Sequence, residues 1–360
     1  MIRIVKRAKM SKTKSASIRL LAVLLALLTS AVLIFLALSL HPLDVYIALF
    51  KGAFGSAYRI REVVKSATAI TIASLGIAIA FKMRFWNIGG EGQICMGAFL
   101  ASFFALNFPE LPKPLLLTVM ILAGMLGGGL WALIPAYLRA KWNTNETIIT
   151  LMMNYVALKW IAYLQFGPWK DPNALGFPKI ANFSDNAILP EIFGVHIGWI
   201  FALVLAVLLS IFLNRSKKGY EIAVLGESES TALYAGINIK RTIITAIFIS
   251  GALCGLTGMI QASAVNNTLS VEISKGIGFT AIITTWLGFL KPGFILAVST
   301  LFAALVQGGS FIQTAVGIPQ AVAELLQGLI LFFVLGCEFF IRYKIALEKP
   351  LFSDRKGTKE

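Results

Sequence analysis

The sequence predicts an all-α, polytopic membrane protein: a helical bundle of about ten spans with broken or re-entrant helices. Hydrophobic residues make up 58% of the 360 residues, charged residues only 14%, and the mean hydropathy is +0.81. A soluble domain carries about 25% charged residues because its surface faces water. Long apolar runs separated by charges, prolines and glycines complete the pattern, since about 20 apolar residues cross a bilayer as a helix.

The first apolar run, residues 20–40, follows a strongly basic segment. A run of this length matches a membrane span and exceeds the roughly 7–15 residues of a signal-peptide core. We therefore interpret it as a retained anchor. The other predicted spans, of which the first two and the seventh are expected to be broken or re-entrant, are 65–83, 91–107, 114–138, 147–166, 196–213, 242–264, 277–290, 294–311 and 319–341.

Positive charge predicts the orientation. Cytoplasmic loops of membrane proteins carry an excess of Lys and Arg. With a cytoplasmic N-terminus, 23 of the 32 Lys and Arg residues fall in the segments expected inside. We therefore expect a basic cytoplasmic N-terminus, a transmembrane domain with a long cytoplasmic loop, and a cytoplasmic tail, in the cytoplasmic (inner) membrane. Their bounds are 1–19, 20–341 with the loop at 214–241, and 342–360.

Several function classes are poorly supported. The net charge of +15 suggests nucleic acid, but no basic stripe alternates with aromatic residues, so we expect no nucleic-acid partner. Cys95, Cys254 and Cys337 each stand alone in an apolar run, which predicts neither a disulfide nor a metal site. His41 and His196 are too few for a metal centre, and no G-x-S-x-G motif is present. We expect no enzyme activity and no cofactor.

The polar segment at 85–93, Phe-Trp-Asn-Ile-Gly-Gly-Glu-Gly-Gln, interrupts two apolar runs. Its three glycines free the backbone from helical geometry. At membrane depth such a backbone is tolerated only inside protein or along a wet cavity. An unpaired Glu91 would cost about 2.5–3.5 kcal/mol near the bilayer centre, while Asn87 and Gln93 add hydrogen-bonding groups. A transport pathway and a tight cytoplasmic turn both fit, and Trp86 fits an interface anchor or a stacking surface.

Two further features concern the membrane domain. The segments 81–98 and 265–287 share one appearance, an apolar helix interrupted by a Gly-rich polar stretch, and transporters place such broken helices at substrate sites. Asn145 and Glu146 fit capping groups at a helix start. Asn154, two turns further along, requires either a partner or a ligand.

The loop at 214–241 contains a short helical unit. Ser228 fits its N-cap, Glu229 its first turn, and Gly236 the position after its end. Ala232, Leu233 and Ala235 would form a small apolar face. Such a face fits docking into a partner's groove, and a surface helix without a role is the alternative.

Ordered motifs between residues 60 and 340 resemble the permease subunits of ATP-binding-cassette importers for nucleosides and simple sugars, in the branch paired with basic-membrane-protein-type lipoprotein receptors. The similar segments are F-W-N-I-G-G-E-G-Q at 85–93, N-E-T-I-I-T-L-M-M-N-Y at 145–155, the loop at 219–241, G-I-G-F at 276–279, and the block at 317–328. The sequence departs from the family pattern at Trp86, where Phe is usual, at Thr280, where an acidic residue is common, and at the turn 291–293.

The resemblance implies a function and a set of partners. The chain would transport nucleosides, with purine nucleosides as first choice and simple sugars as the alternative. It would pair with a second homologous permease, a substrate-binding lipoprotein, and a cytoplasmic ATPase that binds the ATP. An ion-gradient-driven carrier is a competing class, and an intramembrane enzyme using Glu91 as a base is a third.

The resemblance also implies two groups of residues. Those expected along the substrate path are Trp86, Asn87, Glu91, Gln93, Asn154, Tyr155, Phe279, Thr280 and Trp286. Those expected to couple to the ATPase are Glu227, Ser228, Thr231, Ala232, Leu233, Ala235 and Gly236.

Overall fold

The computed structural model describes residues 2–6, 11–174, 176–317 and 320–347. These segments are almost entirely helical. The helices are α1 Lys12–Leu38, α2 Pro42–Phe54, α3 Ala57–Lys82, α4 Gly90–Asn107, α5 Lys113–Trp142, α6 Glu146–Phe166, α7 Gly198–Arg215, α8 Lys217–Glu227, α9 Glu229–Tyr234, α10 Ile239–Ile260, α11 Ile277–Leu287, α12 Pro292–Val316 and α13 Gln320–Arg342. A π-helical turn, Gln261–Asn266, extends α10.

The helices confirm the predicted fold class. Each of the ten predicted apolar segments coincides with a helix, and seven helices of the described chain are long and apolar enough to cross a membrane. Several extend past the predicted bounds; α1 begins at Lys12 rather than at residue 20. Hydropathy marks only the part of a helix suited to lipid, whereas its hydrogen bonding continues into water. Helix α2 was not predicted, since its 13 residues are too few for a span.

Close-packing divides the chain into two compact units, Met1–Gly55 with Leu305–Glu360, and Ser56–Ala304. In the first unit, α1 packs along α13. Strand β1, Ile2–Lys6, pairs antiparallel with strand β4, Tyr343–Leu347, so that the two terminal segments lie side by side. A small core forms around Ile34, Val45 and Ile312. Residues 318–319 of the motif block and residues 348–360 of the expected tail lie outside the described residues.

In the second unit, α3, α4, α5 and α10 form the core. Helix α3 is buried on all sides from Ala67 to Phe81. Glycines allow α5 and α10 to approach at backbone distance: a Cβ atom on Gly251 would lie 2.5 Å from the Gly128 carbonyl oxygen, and one on Gly255 2.9 Å from the Gly128 Cα. Such small residues let membrane helices associate where lipid offers no hydrophobic driving force.

A non-helical segment connects α6 to α7 and covers one end of the second unit. It contains a 3₁₀ turn, Asp185–Ala187, and a hairpin of β2, Glu191–Ile192, with β3, Val195–His196. Its backbone meets the end of the π-helical turn, where the Phe183 N–H donates to the Asn267 carbonyl at 2.9 Å. The opposite end of this unit carries the α8–α9 loop.

Candidate functional site

The polar break, which we define as the segment 85–93, reaches the middle of the bundle. Helix α3 ends at Lys82, Arg84 adopts a left-handed backbone (φ 59°), and α4 begins at Gly90. Inside the break, the Asn87 side chain donates to the Ser250 hydroxyl at 3.3 Å. Ser250 lies at the middle of α10. The break is therefore not confined to the end of the bundle but reaches its mid-height.

Asn87 and Gln93 form a reciprocal amide pair. The Asn87 Nδ2 group donates to Gln93 Oε1 at 3.1 Å, and Gln93 Nε2 donates back to Asn87 Oδ1 at 3.0 Å. The same Oδ1 also accepts the Gly89 N–H at 3.1 Å. Both side chains are fully buried. Buried polar groups are costly unless they are paired, and these two amides satisfy each other within the break. Helix α4 therefore begins without a conventional side-chain cap.

One face of α6 holds the break from the side. Residues Glu146, Thr150 and Asn154 are spaced by four and so lie on one helix face. Asn154 Oδ1 accepts the Gly92 N–H at 2.8 Å, and its Nδ2 donates to the Ile88 carbonyl at 2.9 Å. The hydroxyl of Thr150 accepts the Ile88 N–H at 3.2 Å. These bonds satisfy backbone groups that the broken helix leaves free. We call Thr150, Asn154 and the Asn87–Gln93 pair, together with the backbone groups that they bind, the polar knot.

Glu146, the first residue of α6, extends the polar knot to the Trp86 backbone. Its Oε1 accepts the Trp86 N–H at 3.4 Å and its Oε2 lies 3.5 Å from the Arg139 guanidinium. The N-cap of α6 is Asn145, whose side chain accepts the Thr147 N–H at 3.0 Å. Asn145 was correctly predicted as a cap, whereas Glu146 points at the break instead.

Glu91 connects the two interrupted regions that looked alike in the sequence. Its Oε1 accepts the Gly276 N–H at 2.8 Å and its Oε2 accepts the Gly278 N–H at 2.7 Å. These donors form the start of α11, where Gly276 has a φ of 76°. A carboxylate is stabilised at a helix N-terminus by free N–H groups and the helix dipole. The two breaks thus form one junction, and any Cβ at Gly278 would collide with Glu91.

An aromatic cluster lies beside the knot. Trp86 and Trp286 stack with ring centroids 5.5 Å apart, and the Phe81 ring lies 5.6 Å from each of them. Trp86 is 46% exposed although the residue after it is fully buried. Trp286 lies in the last turn of α11, and the Thr285 hydroxyl binds this helix to α3 by donating to the Ser74 carbonyl at 2.9 Å. The cluster therefore presents an indole face on a rigid support.

The predicted path residues divide into two kinds. Asn87, Glu91, Gln93 and Asn154 come together in or against the knot, are at most 4% exposed, and direct their polar atoms at the protein. The others expose side chains: Trp86 and Trp286 stack, while Tyr155 and Phe279 are exposed elsewhere and show no ring contact within the described chain. The Thr280 hydroxyl donates to the Gly276 carbonyl at 3.1 Å.

The sequence did not indicate several contacts of the site, namely the bonds of Glu146 and Thr150 to the break, the Ser250 hydroxyl, and the N–H groups of Gly276 and Gly278. The four-residue spacing on α6 was a usable signal. Ser250 and the glycines carried none, because their role depends on tertiary contacts. Within the described residues, no group of three His, Cys, Asp or Glu side chains is placed to hold a metal ion.

The α8–α9 loop has the predicted cap and end. The Ser228 hydroxyl accepts the Thr231 N–H at 3.3 Å, and Gly236 has a φ of 70° after α9 ends. The expected apolar face differs, however. Ala232 is buried against the unit, while Leu233 is exposed and the large ring of Tyr234 is 96% exposed.

Helix α8 was not predicted, and it fixes the loop to the core. Glu221 accepts a hydrogen bond from Lys218 at 2.6 Å and another from the Thr242 hydroxyl of α10 at 3.2 Å. The bond to Lys218 lowers the pKa of the Glu221 carboxyl. Gly226 packs directly on the Lys82 carbonyl, where a side chain would not fit.

A cavity of about 480 Å³ separates the loop from the polar break. One wall consists of Gly226, Glu227 and Glu229, and the other includes Arg84, Arg139 and Glu146. The cavity is polar, and Glu146, which bonds Trp86, forms part of its lining. Glu146 therefore lies between the cavity and the Trp86 backbone, while Gly226 of the loop also contacts the Lys82 carbonyl directly.

Comparison with known proteins agrees with this architecture. Residues 59–335 match the family described as the permease component of the branched-chain amino acid transport system. The chain belongs to this family of membrane permeases. It is 32% identical to a glucose ABC transporter permease of Haloferax volcanii, over 94% of this chain and 90% of that protein.

Two further relatives carry nucleoside names. The chain is 31% identical to a nucleoside ABC transporter permease of Lactococcus lactis, over 95% of this chain and 96% of that protein. It is 29% identical to a guanosine ABC transporter permease of Bacillus subtilis, over 90% of this chain and 94% of that protein. The chain is thus an ABC transporter permease of the nucleoside and sugar branch, and these relatives are named as transporters rather than enzymes.

Proposed function

We propose that this chain forms the translocation path for nucleosides in an ABC importer, with purine nucleosides as its substrates. The observation that carries the choice of nucleosides is the Trp86–Trp286 stack, an exposed aromatic face next to a rigid polar knot. Planar bases stack favourably on such a face. Relatives named for nucleosides and guanosine, which match nearly the whole chain, support the choice.

In this proposal the path residues have two roles. Trp86, Trp286, Phe279 and Tyr155 offer aromatic surface to the passing substrate, with Thr280 nearby on α11. The buried amides and carboxylate, Asn87, Gln93, Asn154 and Glu91, shape the wall and keep the break rigid. Weak stacking suits a transporter, because a site that held its substrate tightly would release it slowly.

The α9 segment is proposed to couple the permease to a cytoplasmic ATPase. Leu233 and Tyr234 project from a short helix and form an apolar contact surface, while Ser228 and Gly236 define its ends. The other loop residues assigned to coupling, Glu227, Thr231, Ala232 and Ala235, support that surface. The cavity behind α9 gives the loop room to shift against Arg139 and Glu146.

The remaining partners follow from the same assignment. A second permease would complete the path, and a substrate-binding lipoprotein would deliver substrate at the opposite face. Both termini are proposed to be cytoplasmic in the inner membrane. The positive-charge bias supports this orientation, as does the antiparallel pairing of the terminal strands, which puts both ends on one side.

The substrate is tested by uptake into vesicles that contain the permease reconstituted with its proposed partners, a cassette ATPase, a second permease and a lipoprotein. Labelled guanosine or adenosine should accumulate with ATP, and Trp86→Ala should slow uptake about tenfold, the loss of roughly 1.5 kcal/mol of stacking. Trp160→Ala, which removes an exposed indole on α6, is the control. Uptake driven by an ion gradient without ATP would refute the proposal.

Glucose is the second candidate, since the relative from Haloferax volcanii is named for it. Competition separates the two substrates in the same vesicles. Excess unlabelled glucose should leave guanosine uptake unchanged. If glucose is itself accumulated and guanosine is not, the sugar assignment replaces the nucleoside one while the permease assignment stands.

Coupling is tested with the pair Leu233→Ser and Tyr234→Ser. The variant should remain in the membrane but lose substrate-stimulated ATP hydrolysis, because the exposed apolar contact is removed. Tyr220→Ser, an exposed tyrosine on the neighbouring helix α8, is the matched control. Full hydrolysis in the Leu233/Tyr234 variant would rule out coupling through α9.

A further inference from the structure

A second surface feature lies away from the knot, on an exposed face shared by α5 and α10. It is an apolar groove of about 420 Å³ lined by Leu133, Ile134, Tyr137, Leu138 and Ile244. The four residues of α5 recur at the spacing of one helix face. Apart from the Tyr137 hydroxyl, the lining side chains carry no polar group, so the groove matches a hydrocarbon chain in shape and chemistry.

The mouth of the groove is basic and aromatic. Lys141 lies one turn beyond Tyr137, donates to the Tyr137 hydroxyl at 3.1 Å, and has its ammonium 4.8 Å from the Trp142 ring centroid. On α10, Arg241 precedes Ile244 by three residues and so shares its face. Both cations are exposed, and no ion pair in the described ranges includes either.

The two cations lie at the same end of the helix pair. The two helices run antiparallel: Gly124 of α5 faces Met259, near the end of α10, whereas Ala132, further along α5, faces the earlier residue Gly251. Lys141 is near the end of α5, and Arg241 is near the start of α10. Tyr, Trp and Lys at such a helix end are typical of the membrane–water interface. The groove therefore runs from the interface toward the bilayer interior.

We propose that this groove binds an anionic phospholipid, with an acyl chain along Leu133, Ile134 and Ile244 and the phosphate between Lys141 and Arg241. A free phosphate ion would use the charges but not the groove, and a neutral lipid would use the groove but not the charges. An anionic amphiphile satisfies both. Basic pockets between membrane helices bind anionic headgroups for this reason. The inference does not depend on which substrate the permease carries.

The test uses the purified full-length chain in nanodiscs of phosphatidylcholine mixed with phosphatidylglycerol. Native mass spectrometry of the released protein measures which lipid stays bound. The wild-type chain should retain phosphatidylglycerol, and each of Lys141→Gln and Arg241→Gln should weaken retention about fivefold. Arg215→Gln, an exposed cation at the end of α7, is the matched control and should change nothing.

Two further variants separate a bound lipid from general surface charge. Ile244→Trp fills the groove without altering charge and should also reduce retention, while thermal unfolding reports whether the variants remain folded. A photoreactive residue in place of Ile134 should form its adduct with lipid. Equal retention of both lipids, an Arg215→Gln effect equal to that of Lys141→Gln, or an adduct with a second protein would overturn the proposal.

Discussion

Replacing Asn154 tests whether the polar knot holds the broken helix. Its amide makes two short bonds to backbone groups of the break, 2.8 Å from Gly92 N and 2.9 Å to Ile88 O, and the side chain is 2% exposed. Asn154→Leu keeps the volume but leaves a buried N–H and a buried C=O without partners. Each unsatisfied group costs about 1–3 kcal/mol, so we expect a loss of about 2–4 kcal/mol after partial relaxation.

Two further substitutions should give graded losses of stability. Asn154→Asp keeps the acceptor for the Gly92 N–H but opposes the Ile88 carbonyl with another oxygen, so its loss should be intermediate. Tyr155→Phe alters the neighbouring, exposed residue and should change stability by less than about 0.5 kcal/mol. The assay is reversible unfolding in mixed micelles, followed by circular dichroism. If the Asn154→Leu chain were as stable as the Tyr155→Phe chain, Asn154 of α6 would not hold the polar break in place.

Two other changes test the packing and the pH response. Gly255→Ala places a methyl group against the Gly128 backbone and should cost about 1–3 kcal/mol by thermal unfolding, whereas Gly293→Ala, which has open space, should be nearly neutral. Burial, and after it the charge of Lys65, lower the pKa of His196 to about 4. Since this pKa lies below the unfolded value of about 6.5, stability is complete at neutral pH and falls as pH drops from about 6.5 to 4, by about 2 kcal/mol at pH 5. His196→Gln should remove that part of the pH dependence, and a wild-type stability that stays constant from pH 7 to 5 would contradict it.

Much of the helical framework was predictable because lipid imposes one simple constraint. Backbone groups in the bilayer must bond within their own segment, so apolar runs such as 114–138 and 242–264 could be assigned as helices directly. The helices outside that constraint escaped prediction. Helix α2 is too short for a span, and α8 is held by Glu221 through Lys218 and Thr242, contacts that exist only in the folded chain.

The candidate site was predictable in composition but not in arrangement. Three glycines and a glutamate at 85–93 identified an exceptional segment, since a charged residue at membrane depth requires a reason. The sequence did not reveal that Glu91 binds the start of α11, about 185 residues away. That contact depends on the path of the whole chain between α4 and α11. The sequence left open whether this segment is a transport pathway or a tight turn, because that choice also depends on tertiary contacts. In the structure, the segment is a turn that reaches the middle of the bundle.

Within our proposal, the polar knot gives a loop at the end of the bundle a route to its middle. Rigid elements carry a displacement only where they share a contact, and Glu146 is such a contact: it bonds Trp86 N above and Arg139 at its side, and it lines the cavity behind α9. The rest of the knot is satisfied internally and resists deformation. In the same proposal, a shift of the loop would act on the Trp86–Trp286 face through Glu146 and through the Gly226 contact with the Lys82 carbonyl at the end of α3. Within our proposal, the polar break is then the joint between ATPase contact and substrate face, while the amides beneath it keep the path in shape.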